Sequence, residues 1–306
     1  MYKEKYIKYK NKYFNLKNQF GGSDKTLINS IREALNARNL ITLKFILKEN
    51  EDLKVKDRPG EACYLAAEKG LLGCLKALRE NKYYWNESTC AIAAENGHIA
   101  CLMYLYENNC PWDTITCEFA ALNGHIECLE YAHTHECPWD VNTCSEAASG
   151  CHIKCLMYAR ANGCPWNEKT LINAIINGHI DCLRYAYENG CPRESTNLCD
   201  IAAMYGRLEC LKYLHQQRTP WTSNVCEFAA ENGHFNCLQY AHANGCPYPK
   251  ELLKTIVSKC CFPNWRARVK CQRIVHFWWD NIYSVLSFAE HGVGRRRDLI
   301  SYKTEF

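Results

Sequence analysis

The sequence predicts an all-α protein built as a solenoid of paired short helices, and three observations carry that prediction. The stretch ITCEFAALNGHIECLEYAHTHECPW, Ile115 to Trp139, returns in either direction at a spacing of 27 residues, which marks one supersecondary unit copied many times. Each copy also holds two stripes at helical spacing. Cys117, Ala120 and Ala121 fall at i, i+3 and i+4 and give a narrow stripe of small residues, whereas Ile126, Cys128, Leu129, Tyr131 and Ala132 give a broader apolar one. Finally, Asn123-Gly124 stops the first stripe and Pro138 follows the second, as expected where helices end on a left-handed residue or before a proline.

Taken in order, residues 1–22 are a basic Tyr/Lys-rich N-terminal segment. Tyr6, Tyr9, Tyr13, Leu16 and Phe20 make one helical face, Lys3, Lys5, Lys8, Lys10, Lys12 and Lys17 fill much of the rest, and Gly21-Gly22-Ser23 breaks the pattern. Two readings stand for it: a solvated basic helix, or a docking or sorting segment for an acidic partner or a membrane surface. Residues 23–60 read as a degenerate capping repeat. Thr26-Leu27-Ile28-Asn29-Ser30-Ile31 echoes Thr170-Leu171-Ile172-Asn173-Ala174-Ile175, and Leu43-Lys44-Phe45 echoes Leu183-Arg184-Tyr185. Worn first copies serve solenoids as caps, since their outer face meets water.

Residues 61–248 hold seven regular copies. The residue expected to open each first helix is Cys63, Cys90, Cys117, Cys144, Leu171, Cys199 or Cys226, and eleven residues on stands Cys74, Cys101, Cys128, Cys155, Cys182, Cys210 or Cys237. Asp140 is placed to cap the next first helix with Thr143 three residues later, and Asn86, Asp113 and Asn167 hold the same position. Neither helix reaches the ~12–15 residues at which an isolated helix becomes marginal. A lone copy cannot offset an ordering cost of ~1–2 kcal/mol per residue, so the array is expected to fold only as a stack. Residues 249–306 read as a C-terminal helical cap and basic tail. Pro249 precedes Glu251–Val257, Pro263 interrupts, an apolar face runs from Val269 to Leu286, and Arg295-Arg296-Arg297 marks the tail.

Composition bounds the function. The chain of 306 residues is 47% apolar and 23% charged, which argues against wholesale disorder. No apolar run approaches the ~18 residues of a membrane span, and no apolar stretch follows the N-terminal lysines as a secretory signal would require. The net charge of +4 divides unevenly: +5 on residues 1–20, +4 on residues 264–306, and −5 on the body between. A mildly acidic body is a poor match to a phosphate backbone, so nucleic acid is not the expected partner. The 22 cysteines are read as reduced thiols of an intracellular protein. Equivalent cysteines in stacked repeats would sit a helix spacing apart, ~8–10 Å, beyond the ~7 Å Cα limit for a disulfide.

At Ala93-Ala94-Glu95-Asn96-Gly97-His98 and its copies the chain resembles the ankyrin-repeat family. Cys101-Leu102 stands where that family has two aliphatic residues and Gly163-Cys164 where it has Gly-Ala. The resemblance covers roughly Ala62 to Cys246. It implies a right-handed ankyrin-like solenoid, with the family's β-hairpin fingers shortened or absent because about six residues are missing between Cys137 and Cys144 relative to a ~33-residue unit. The short GCPW-type unit and the KYxKYKxKY-like start are similar to ankyrin-like proteins of amoeba-infecting giant DNA viruses. Some copies depart: Cys151 replaces the turn glycine after Gly150, Leu71 and Arg207 replace the histidine, and Arg193 and Tyr248 replace the tryptophan.

The recurring residues read as framework. His98/Cys101, His125/Cys128, His152/Cys155, His179/Cys182 and His234/Cys237 have a metal-like look, but zinc needs four converging ligands. In the resembled family this His bonds a loop while the cysteine position is packing. No metal or cofactor is expected. Trp85, Trp112, Trp139, Trp166 and Trp221 are expected to pack against the following copy, because residues chosen to touch one partner need not be identical in every repeat. Recognition is placed at the positions that vary between Ala-Ala and Gly, namely Glu95, Leu122, Ser149, Ile176, Met204, Tyr205 and Glu231, which the resemblance assigns to a concave groove. No nucleophile elbow, phosphate loop or non-repeating Cys–His pair suggests catalysis. The expected protein is a monomeric, non-enzymatic interaction scaffold in the host cytoplasm or virion, with an unidentified host or viral protein as partner. The alternatives are an adaptor recruiting machinery such as a ubiquitin ligase through its C-terminal segment, or a structural virion component.

Overall fold

The computed structural model describes residues 24–50, 61–193 and 197–247, with side chains from Leu27 onward. The basic N-terminal segment, the end of the capping repeat at 51–60, Tyr248, the closing helix and the basic tail lie outside them. Residues up to Arg193 belong to one compact unit and those from Glu194 onward to a second.

In the first unit the helices come in pairs. They are α1 (Asp24–Asn36) with α2 (Leu40–Glu49), α3 (Glu61–Glu68) with α4 (Leu72–Glu80), and α5 (Glu87–Glu95) with α6 (Ile99–Glu107). Then follow α7 (Thr114–Leu122) with α8 (Ile126–Thr134), α9 (Val141–Ser149) with α10 (Ile153–Ala161), and α11 (Glu168–Asn177) with α12 (Ile180–Glu188). The second unit holds α13 (Leu198–Met204) with α14 (Leu208–Gln216) and α15 (Ser223–Glu231) with α16 (Phe235–Ala243). No strand is present among the described residues, so the link from Cys137 to Asp140 carries no hairpin finger.

Within each unit, consecutive first helices pack side by side and consecutive second helices do the same in a parallel layer. The small-residue stripe explains the close approach of the first layer. Cys117, Ala120 and Ala121 are fully buried, as are Cys90, Ala93 and Ala94 one copy earlier. The second layer is filled by one leucine per copy: Leu75, Leu102, Leu129, Leu156 and Leu183 in the first unit and Leu211 and Leu238 in the second, all fully buried. Each such side chain contributes ~1.5–3 kcal/mol on leaving water. That burial must come from neighbouring copies, since most of these helices are nine residues long.

The helix starts differ slightly from the sequence expectation. Most residues expected to open the first helices lie one turn inside them: α7 starts at Thr114, and Cys117 is its fourth residue, whereas Cys63 is third and Cys199 second in their helices. The reason is the cap. The Asp113 side chain accepts from Ile115 N–H, and Asp140, Asn167 and Thr222 do the same for Asn142, Lys169 and Asn224, satisfying donors the first turn leaves open. Asn86 and Thr89 form a reciprocal capping box.

Two turns per copy use a left-handed residue, and their surroundings differ. After the first helix, Gly70, Gly97, Gly124 and Gly206 have φ of +68°, +71°, +76° and +67°, and a Cβ there would lie 2.3–2.6 Å from the His ring of the next copy. After the second helix, Gly163, Gly190 and Gly245 have φ of +82°, +77° and +75°, with open space where a Cβ would point. Lys82, Asn109, Glu136 and Arg218 occupy that same turn with φ between +57° and +64°. Sterics from the neighbouring copy, not backbone dihedral alone, favour glycine in the first of these turns, where Cys151 is the exception. Cys151 takes φ +67° after Gly150, whose own φ is −86°. Gly150 is needed for a different reason: a Cβ on it would meet the Leu122 carbonyl oxygen at 1.9 Å.

Candidate functional site

The positions that vary from copy to copy share one place in the fold. Glu95, Leu122 and Ser149 are the last residues of α5, α7 and α9, and Ile176 is the penultimate residue of α11. Because these first helices pack side by side, the four positions form a row along their C-terminal ends. In the second unit Met204 ends α13, Tyr205 is its C-cap and Glu231 ends α15. The row is uneven in exposure. Tyr205 is 43% exposed and Glu231 is exposed, Glu95, Ser149, Ile176 and Met204 are half-buried, and Leu122 retains only 9%. Leu122 therefore offers little area to a partner.

Beneath this row the backbone is held by the recurring histidines. His98 Nε2–H donates to the Glu68 carbonyl, His179 to Ser149 and His234 to Met204, each at 3.1 Å. His152 makes the same bond to Leu122, while burial and the charges of His125 and His179 lower its pKa. A donating Nε2 puts the neutral ring's bare nitrogen at Nδ1, and that edge lies over the preceding turn glycine. His152, His179 and His234 thus fix the carbonyls of the variable positions Leu122, Ser149 and Met204 one copy earlier, leaving the side chains there to change without moving the main chain.

Spending Nε2 on a carbonyl also removes it from metal binding. The companion cysteines are buried thiols beside leucine, and burial raises Cys101 to about 11 and Cys128 to about 12, which makes them poor thiolate ligands or nucleophiles at neutral pH. Among the described residues no group of three or more His, Cys, Asp or Glu gathers as a metal site.

The tryptophans lie between two second helices. Each packs on the residue six before it and meets, edge-on, the tyrosine nineteen after it. Trp112 stacks on Tyr106 with centroids 4.4 Å apart and has Tyr131 at 6.5 Å. Trp139 stacks on His133 at 3.9 Å, with Tyr158 at 6.4 Å, and Trp221 repeats this with His215 and Tyr240. Arg79 over Trp85 and Arg160 over Trp166, at 4.2 and 4.1 Å, supply a cation in the same place. Within each unit the tryptophans join their copy to the next, as expected for packing residues.

Sequence patterning did not single out the exposed apolar residues of the second helices. Met103 and Met157 are 38% and 48% exposed, Tyr106 is 36% exposed, and Ile41 and Phe45 of α2 reach 83% and 64%. The signal was present, since Met103 and Met157 each follow the cysteine by two residues, but in a single copy they resemble ordinary scattered surface residues.

The family model described as ankyrin repeats (many copies) matches residues 199–242. Among solved structures, the human ASB11 ankyrin repeat domain is similar at 21% identity with a TM-score of 0.43, over 50% of this chain and 82% of that one. A search of curated proteins finds no match. No helix among the described residues is long and apolar enough to cross a membrane. The matched segment spans most of α13 to α16, with the same paired helices, glycine turn and histidine bond found in the first unit, so residues 199–242 are similar to ankyrin repeats.

Proposed function

We propose that the chain is a non-enzymatic scaffold that binds another protein along the C-terminal ends of its first helices. The observation that carries this reading is the division of labour at those ends. The main chain there is tied down by a histidine from the next copy at Leu122 and Ser149, while the side chains Glu95, Leu122, Ser149 and Ile176 differ at equivalent places. A rigid backbone presenting variable side chains is suited to selective binding at low ordering cost. Met204, Tyr205 and Glu231 offer the same arrangement in the second unit. Ankyrin repeats point to a protein partner. The 27-residue period, the Gly-Cys-Pro-Trp motif and the Tyr/Lys-rich start support an origin among giant DNA viruses of amoebae and an intracellular place of action, with a host or viral protein bound by a monomeric chain.

The test is affinity capture from infected amoebae, followed by direct binding of each captured protein to purified wild type, Ile176→Glu and Tyr205→Glu. A partner of this surface should lose at least about tenfold in affinity, or 1.4 kcal/mol, to one of these variants while the far-ultraviolet circular dichroism is unchanged. Unchanged affinity for every captured protein would place recognition elsewhere.

A further inference from the structure

Each regular copy has room for two cysteines of a kind separate from the His-x-x-Cys series: one a turn inside the first helix, the other 20 residues later at the Gly-Cys-Pro link. Both are present in four copies, as Cys90 with Cys110, Cys117 with Cys137, Cys144 with Cys164, and Cys226 with Cys246. The later sulfur docks into the first helix of its own copy. Cys110 Sγ donates to Asn86 O at 3.3 Å, Cys137 to Asp113 O at 3.4 Å, Cys164 to Asp140 O at 3.3 Å and Cys246 to Thr222 O at 3.2 Å. Every one of those carbonyls belongs to the residue four before the earlier cysteine, so the two sulfurs share one helical turn. Within each pair the thiols therefore lie beside each other at the start of one helix. All eight residues are at most 4% exposed.

The remaining copies show what the link does with one sulfur or none. Cys191, opposite Leu171, keeps its bond to Asn167 O at 3.2 Å. Cys199, opposite Thr219, reaches the Thr219 carbonyl at 3.9 Å. The first copy has Cys63 and Tyr83. Docking of the link therefore does not require the second thiol, and a small apolar residue would fill the helix position as well. What the second thiol adds is a partner beside the first.

We infer that the four pairs are modification sites, each closing to a disulfide within its own copy, with a low-molecular-weight disulfide such as oxidised glutathione as the electron acceptor. One protein thiolate attacks a glutathione sulfur, the glutathione S–S bond breaks, and the departing glutathione thiolate takes up a proton. The partner cysteine gives up its proton and attacks the protein-side sulfur of the mixed disulfide, releasing the second glutathione. Two protein thiols are oxidised and one glutathione disulfide becomes two thiols. The sulfurs close from neighbouring places on one helical turn to about 2.05 Å, which needs far less motion than joining equivalent cysteines of neighbouring copies. All eight side chains are closed off from a bulky oxidant in the packed array, so closure takes place as a copy folds or opens.

The full-length chain is unfolded, refolded in a glutathione redox buffer, blocked with an alkylating agent, cleaved beside acidic residues and mapped by mass spectrometry. The expected result is links at 20-residue separation in the four pairs and a thermal midpoint above that of the reduced chain. Leu171→Cys should add a fifth link to Cys191, and Cys117→Ala should remove one link and leave Cys137 a thiol. Refolded chain with these pairs still reduced, or joined predominantly at other separations, overturns the inference. So does formation of the four links with a lowered midpoint, because the bonds would then oppose the native repeat.

Discussion

Arg193 places its guanidinium 4.2 Å above the Tyr187 ring, with cation and aromatic exchanged relative to Arg160 over Trp166 at 4.1 Å. In the sequence Arg193 looks like a lost tryptophan. In the structure the pair persists with its roles reversed, because the two positions six residues apart face each other and only the combination matters. A double-mutant cycle with Tyr187→Ala and Arg193→Ala should give a coupling energy of ~0.5–1 kcal/mol, the range for cation–π pairs at exposed sites. Urea denaturation measures it, and strict additivity would show that the two rest side by side without interacting.

The two glycine turns should respond differently to a side chain. Gly163→Ala meets only the cost of a left-handed backbone, ~1–2 kcal/mol, because nothing lies within 4 Å of its Cβ position. Gly97→Ala also drives a methyl to within 2.5 Å of the His125 ring. Its loss of stability should exceed that of Gly163→Ala by about 1–3 kcal/mol, the scale of overpacking. Equal urea midpoints for the two variants would contradict the steric account.

His152 sets a pH dependence. Burial lowers its pKa from the ordinary 6.5, so the unfolded chain binds the proton more readily than the folded one. Its contribution to stability is then complete above the unfolded pKa and is lost as pH falls from about 6.5 through the lower folded value. Denaturation midpoints between pH 8 and 5 should decline over that window, and the decline should be shallower for His152→Gln. A stability that rises on acidification in this window, and no longer does so in the variant, would reverse the sign of the assignment.

The buried threonines at the helix starts should separate into two kinds. Thr89 Oγ1 accepts from Asn86 N–H at 3.3 Å in the capping box, so Thr89→Val should cost ~0.5–2 kcal/mol. Thr143 is equally buried, but its Oγ1 has no hydrogen-bond partner among the described residues. Thr143→Val removes a buried hydroxyl without breaking a bond and should be neutral or stabilising by up to ~1 kcal/mol. Thermal midpoints of the two variants decide the matter.

How much of this was legible in the sequence depends on distance along the chain. The period, the pairing of helices, the caps at Asp113, Asp140 and Asn167 and the buried Cys-Ala-Ala stripe are local. The caps have partners within one helical turn, and the stripe and the period show as regular spacings, so residue spacing alone reveals them. The packing of the tryptophans against the next copy also followed, since an unvarying residue in an array is accounted for by contacts that repeat. The variable row was found as a pattern, but not its relief: Leu122 reads as one of the exposed apolar contacts, whereas stacking against the neighbouring helix leaves it 9% exposed.

The amino-acid sequence by itself determined that this chain is a stack of helix pairs, because hydrophobic spacing, caps and glycine stops act within a single copy. Only the tertiary structure decided which turn must be glycine, where each histidine nitrogen goes, and which cysteines meet. These depend on atoms 20 to 30 residues apart, brought together when one copy lies against the next, as with His98 on the Glu68 carbonyl, or when the link folds back on its own first helix, as with Cys137 on the Asp113 carbonyl. A period of 27 residues says that such contacts recur, and the packing of one copy on the next says which atoms make them.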